Sequence, residues 1–222
     1  MITDHKLRQD VIDELDFEPS LDAAHIGVGV RDGVVTLTGF VSSYADKVAA
    51  ERATRRVFGV KAIAQEIEVR LPSDKRTADD EIAKRAVDVL KWRVGVPAEQ
   101  ITVKVEKGIV TLDGEVEWEY QRKIAEHAVH ALSGVMAIHN LIRIHARPQV
   151  YEIKQKIENA LRRSAELDAS HITVRADAGK VVLEGKVHAW YERDLAEQAA
   201  WSARGVTEVS DRIEVDWARP QP

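Results

Sequence analysis

Few residues in this 222-residue chain could do covalent chemistry. There is no cysteine, which removes thiolate nucleophiles, disulfides and Cys-ligated zinc together. The sequence holds no Gly-x-Ser-x-Gly, no His-Glu-x-x-His and no phosphate-cradling glycine loop. Its 37 acids can always be paired on paper, but no spacing fixes two of them at one pocket. The nearest approach to a metal set is His127 and His130, at i,i+3 on one helix face, followed by His139 and His145 in the next strand. Zinc would need those rings to converge with supporting partners. Solvated surface histidines are the expectation, with no metal and no cofactor, and the chain reads as a non-enzyme.

Charge and aromatic placement offer more. The net charge is −5, which argues against a general nucleic-acid binder, since that needs a basic footprint. Two stretches run the other way. Residues 81–93 carry Lys84, Arg85, Lys91 and Arg93 against two acids and include Trp92. Residues 151–164 carry Lys154, Lys156, Arg162 and Arg163, also against two acids. The corresponding stretch near the N-terminus, residues 4–16, is acidic. A cationic amphipathic helix ending in Trp is what binding at a lipid interface uses, with basic heads on phosphates and the ring at headgroup depth. The competing account is an ordinary solvated helix whose cations favour its C-terminal dipole. A second candidate surface is aromatic: Trp118 and Tyr120, then Trp190 and Tyr191. Such residues are common interface anchors, and they serve equally well to seal contacts between neighbouring domains.

The elements that hold these residues are written three times. Gly33-Val-Val-Thr-Leu-Thr-Gly39 returns as Gly108-Ile-Val-Thr-Leu-Asp-Gly114 and as Gly179-Lys-Val-Val-Leu-Glu-Gly185. Gly59, Gly134 and Gly205 each follow at one fixed distance, before a Val. Leu15 to Ile26, Leu90 to Ile101 and Leu161 to Ile172 are equal steps. Domains are therefore expected at 1–70, 77–146 and 147–217, joined by short segments at 71–76 and 146–149 that contain Pro72 and Pro148. At this length each unit would be only marginally stable alone, so neighbours are expected to touch.

Each repeat opens with apolar residues spaced by four: Leu7, Val11, Leu15; Ile82, Ala86, Leu90; Ile153, Ile157, Leu161. That spacing predicts an amphipathic helix. Two runs of period 2 follow, joined by turns at Gly33, Gly108 and Gly179, which predicts a β-hairpin. A second helix is expected over 44–58, 119–133 and 190–204, with an Ala-rich inner face and a left-handed cap at Gly59, Gly134 or Gly205. A last strand closes the unit. The fold class is α/β in a two-layer α+β form: three tandem αββαβ domains, each a three-stranded sheet with two helices on one face. The repeated glycines are assigned to turns and caps. The other sheet face, with Arg31, Thr36 and Thr38, Lys104, Thr111 and Asp113, and Arg175, Glu184 and Arg212, reads as wet.

This pattern resembles the BON domain family, named after bacterial osmotically induced and nodulation proteins. The resemblance rests on Ile26-Gly-Val28, Ile101-Thr-Val103 and Ile172-Thr-Val174, on the Gly-x-Val-x-Leu-x-Gly strings, and on the Gly-Val before the last strand. Where the family usually has Asn in that strand, the chain has Gln65, Asn140 and Asp211. The resemblance implies non-catalytic modules linked to osmotic and envelope stress, which contact phospholipid membranes or proteins, often in the periplasm. No run is long and apolar enough for a membrane-spanning helix, and no secretory signal pattern stands at residue 1. The expectation is a cytoplasmic protein bound peripherally to anionic phospholipid. Its alternatives are a protein-interaction or chaperone-like stress factor and a small-cation sensor with backbone carbonyls as ligands.

Overall fold

The computed structural model describes residues 2–73, 77–145, 152–164 and 169–216. The second joint at 146–149, part of the first (74–76), and the expected domain bounds at 1, 146, 147 and 217 lie outside the described residues. Contacts divide the chain into two compact units, Met1–Asp113 with Ile124–Leu141, and Gly114–Lys123 with Ile142–Pro222.

The first repeat runs α1 (Asp4–Phe17), β1 (Ile26–Arg31), β2 (Val34–Val41), α2 (Tyr44–Arg56), β3 (Ala62–Gln65) and β4 (Glu68–Val69). The second is α3 (Asp79–Trp92), β5 (Ile101–Glu106), β6 (Ile109–Val116), α4 (Glu119–His130) and β7 (Ala137–Ile144). The third is α5 (Ile153–Arg163), β8 (Ile172–Asp177), β9 (Lys180–Val187), α6 (Trp190–Trp201) and β10 (Glu208–Val215). The three sheets share one order, with the second hairpin strand in the middle. That strand pairs antiparallel with its hairpin partner and parallel with the last strand, as β2 does with β1 and β3 and β9 does with β8 and β10. The αββαβ expectation holds in repeats two and three; in repeat one the last strand is broken into β3 and β4, both parallel to β2, so that sheet counts four strands.

The core follows the spacing. In repeat one, Leu7, Val11 and Leu15 of α1 meet Val35, Leu37 and Val41 of β2 and Ala50 and Ala53 of α2 in one buried cluster. In repeat three, Ile157 and Leu161 meet Val181, Leu183 and Val187 together with Ala196 and Ala200. Alternate residues on the strands point away: Arg31, Thr38, Lys104, Asp113, Arg175 and Arg212 are exposed, as the wet-face reading requires. Burying each of these Val and Leu side chains contributes about 1.5–3 kcal/mol. Alanines let the second helix lie close on the sheet.

The hairpins turn through two residues that both have positive φ: Asp32 and Gly33, Lys107 and Gly108, Ala178 and Gly179. This is the type I′ geometry whose twist matches the strands.

Two of the expected glycine roles are corrected. Gly39, Gly114 and Gly185 are neither turns nor caps; they lie within β2, β6 and β9. Gly39 stands opposite Ile26, with φ +102°, and a Cβ there would sit 2.0 Å from the His25 carbonyl oxygen. Close backbone approach is the reason for glycine at that place. Nor do the second helices run on to Gly59, Gly134 and Gly205. They stop at Arg56, His130 and Trp201, two to three residues earlier than periodicity suggested. In repeat one Val57 closes the helix and opens a β-turn in which the Val60 N–H donates to the Val57 carbonyl (3.4 Å). Gly59 takes the third place of that turn, which needs positive φ. The apolar pattern could not see this boundary, because Val57 and Val60 are buried on either side of it.

Candidate functional site

The α3 core stripe of Ile82, Ala86 and Leu90 turns Lys84, Arg85, Lys91 and Trp92 outward. After Leu90 the helix ends: the Arg93 N–H donates to the Leu90 carbonyl at 3.3 Å. A second turn follows at once, Val96 N–H to the Arg93 carbonyl at 3.3 Å, with Gly95 at φ +89°. These two reversals leave Lys91-Trp92-Arg93-Val94 on a projecting corner. Trp92 is 86% exposed and Val94 92%. Val94 was missed in the sequence, because its exposure comes from the turn and not from helical spacing. Arg85 closes on Glu81 at 2.5 Å. Lys84, Lys91 and Arg93 form no ion pair among the described residues.

The same corner in repeat one holds Phe17, 80% exposed. Its flanks are Asp16 and Glu18, and Glu18 accepts from Arg56 Nη2 at 2.8 Å. In repeat three the corner residue is Arg163. There Lys154 pairs with Glu158 at 3.6 Å, while Lys156, Arg162 and Arg163 are exposed. Among the described residues, only the second repeat joins an exposed aromatic to cations without an ion pair.

The aromatic edges divide. Tyr120 and Tyr191 are exposed, whereas Trp118 and Trp190 are half-buried. The backbone at Trp118 is held by Gln121, whose Oε1 accepts from the Glu117 and Trp118 amides, both at 3.0 Å. The Arg193 guanidinium lies 5.3 Å from the Trp190 ring centre, and its Nε donates to Asp211 at 2.6 Å. Within the second compact unit, Trp118, Glu119, Trp201 and Arg204 help line a tight recess with no room for a water molecule. Glu119 is only 4% exposed and is held by Arg122, with Nη2 to Oε1 at 2.8 Å and Nε 2.7 Å from Oε2. Arg122 also lies 5.6 Å from the Trp201 ring centre, and Trp201 Nε1 donates to Glu197 at 3.1 Å. Burial raises the Glu119 carboxyl above its ordinary range; Arg122 and Lys123 oppose that rise and Glu197 adds to it. Trp118 and Trp201, both half-buried, line this same recess.

In the first compact unit, equivalent helix positions meet. Burial raises the Tyr44 phenol, and the charges of Glu126 and Glu51 add to the effect. The His127 and His130 rings stack with centres 4.4 Å apart, and His130 Nδ1 lies 2.7 Å from the His127 carbonyl. His139 and His145 are exposed on and just beyond β7. Among the described residues no three His, Asp or Glu side chains gather in a way that could hold a metal ion. No described helix is long and apolar enough to cross a membrane.

Comparison with known families decides what these repeats are: the BON domain matches residues 3–70, 78–146 and 151–216. The chain belongs to the BON domain family. A curated relative, osmotically-inducible protein Y of Escherichia coli (strain K12), is 28% identical over 130 residues, covering 54% of this chain and 62% of that protein. The chain thus spans less than two thirds of that relative's length. Among solved structures, the C-terminal domain of CdsD, the structural protein of the type III secretion system of Chlamydia trachomatis, aligns over 97% of this chain and 100% of its own at 16% identity, with a TM-score of 0.26. The PrgH periplasmic domain aligns over 92% and 99% at 13% identity, with a TM-score of 0.21. Scores of this size carry no argument.

The BON repeats also give a physical reason for a polar residue in the last strand. Asp211 Oδ1 accepts from the Ile213 amide at 2.9 Å while Oδ2 takes the Arg193 bond, so one short side chain ties strand to helix. Gln65 Oε1 accepts from the Ile67 amide at 3.3 Å, and Asn140 Nδ2 donates to Glu126 on α4 at 2.9 Å.

Proposed function

We propose that this BON protein is a non-enzymatic, stress-linked binding protein that associates peripherally with anionic phospholipid surfaces through the corner at the end of α3. The observation that carries the reading is Trp92, almost wholly in solvent between Lys91 and Arg93 and beside the exposed Val94. Its helix fills its core stripe without it. An exposed Trp and Val flanked by unpaired cations fit headgroup depth. Each cation near an anionic surface contributes about 1 kcal/mol of salt-sensitive attraction. The exposed cations of α5 would add charge without an inserting ring. The stress link takes support from the family and from the relative's name. The reading takes 1–70, 77–146 and 147–217 as the domains and places the protein in the cytoplasm, at the inner membrane face.

Co-sedimentation with anionic and with zwitterionic vesicles tests it. Binding is expected to the anionic set at low ionic strength and to weaken as salt rises. Absence of pelleting at low salt sinks the reading, as does full pelleting by a Lys84→Ser, Arg85→Ser, Lys91→Ser, Arg93→Ser variant.

A second reading, a protein-interaction surface, draws on Tyr120 and Tyr191, exposed at the corresponding helix starts of repeats two and three. A stress-cell partner that persists in Trp92→Ser but is lost in Tyr120→Ala with Tyr191→Ala would favour it.

A further inference from the structure

The corner that ends the first helix carries a different surface in each repeat. Phe17, Trp92 and Arg163 each stand two residues past the last core leucine of their helix, and Phe58, Ser133 and Arg204 each stand just before Gly59, Gly134 or Gly205. Both places are aromatic in repeat one alone. There Phe17 is 80% exposed, Phe58 40% and Ile2 39%. Together with Asp10, Asp13 and Glu14 they line an open groove of about 470 Å³, within the size range of binding clefts. None of the three apolar side chains belongs to the buried cluster of repeat one, and repeat two has Thr77 and Ser133 where repeat one has Ile2 and Phe58. The fold does not need this apolar wall. Its rim is acidic. Lys6 holds Asp10 at 2.6 Å, and Arg56 holds Glu14 at 2.7 Å and Glu18 at 2.8 Å. Asp13 accepts only from the neutral Gln9 amide, at 2.8 Å. Among the described residues neither Asp13 nor Asp16, the neighbour of Phe17, forms an ion pair, and both are exposed.

We infer that this groove receives the Lys91-Trp92-Arg93-Val94 corner of a second copy of the chain. The two surfaces are opposites: one is a recess with aromatic walls and unpaired acids at its rim, the other a projecting aromatic between unpaired cations. An exposed apolar patch rimmed by charge marks a partner surface, and opposite charges at the rims fix the register of docking. A Trp anchor beside Arg is the kind of residue pair that carries binding energy at interfaces. Trp92 enters beside Phe17 and Phe58, while Lys91 and Arg93 answer Asp13 and Asp16. Both surfaces belong to the first compact unit and both stand open there, with Phe17 80% and Trp92 86% exposed. The contact is therefore made between copies and not within one. Each copy brings one groove and one corner, so a reciprocal exchange closes a two-fold dimer, whereas a one-way exchange leaves ends that extend. The inference does not rest on the membrane reading, but it shares the corner with it, so lipid and a second copy compete for Trp92.

The test is sedimentation velocity of the full chain without lipid, over a concentration series at low and at high ionic strength. Association that grows with concentration and weakens as salt rises is expected. Trp92→Ala should weaken it on the order of tenfold or more. A groove variant, Asp13→Lys with Asp16→Lys, and a corner variant, Lys91→Glu with Arg93→Glu, change only exposed positions. Each alone is expected to stay monomeric. Mixing the two should restore association, because the native groove of one meets the native corner of the other and the two altered surfaces are again opposite in charge. Such restoration also shows that neither variant lost association by misfolding. A chain that is monomeric at every concentration, association that survives in either variant, or variants that stay monomeric when mixed overturns the inference. A monomer that still pellets with anionic vesicles through Trp92 overturns it and leaves the membrane reading standing. Association in solution with no vesicle binding at low salt does the reverse: the docking stands and the membrane reading falls.

Discussion

The carboxylate of Asp79 reaches across the second repeat to hold Gly108: its oxygens accept from the Gly108 amide at 2.9 Å and the Lys107 amide at 2.7 Å. Asp4 does the same in repeat one, to Gly33 at 3.2 Å and Asp32 at 2.8 Å. The first residue of the first helix thus satisfies the two amides at the tip of the hairpin, which have no ladder partner. Asp79→Ala is expected to lower stability by about 1–2 kcal/mol, because bonds to a charged acceptor are the stronger kind and these are partly exposed. Asp80→Ala beside it should stay within about 0.5 kcal/mol. Equal melting shifts for the two variants would refute the relationship.

Glycine positions divide sharply. Gly185→Ala would place a Cβ 1.9 Å from the His171 carbonyl oxygen at φ +145°. The expected loss is about 3 kcal/mol or more, as for other severe overpacking with backbone strain. Gly29→Ala meets nothing nearer than 3.9 Å, and its cost should remain under about 1 kcal/mol. Chemical denaturation of the two variants decides.

Trp92→Ala separates binding from stability. A residue this exposed should change unfolding free energy by no more than about 0.5 kcal/mol, while anionic vesicle binding falls strongly. Vesicle binding unchanged by the substitution would move the surface elsewhere, and a large stability loss would make Trp92 a packing residue.

Glu119 gives a pH signature. Burial lifts its folded value above the unfolded one near 4.5, so the folded chain binds the proton more readily. Its charge therefore opposes folding in full only above the raised value, and that penalty fades as pH falls towards the unfolded value. Glu119→Gln never carries the penalty. Any melting advantage of the variant over wild type should be largest near neutral pH and shrink on acidification; an advantage that grows on acidification would contradict the sign.

Periodicity and repetition alone settled a great deal. Leu7, Val11 and Leu15, with their counterparts, could be read as core because a helix and a strand each impose a fixed spacing on whatever they bury, and three copies of one spacing leave little to chance. The hairpin turns were legible for a similar reason, since a two-residue reversal of this hand demands positive φ. Tertiary structure alone decided the rest. That Gly39 faces a carbonyl, that Asp79 spans to a turn 29 residues away, and that Val94 stands in solvent are all consequences of long-range approach. Distance in space between such residues depends on packing, and a one-dimensional pattern carries no record of it.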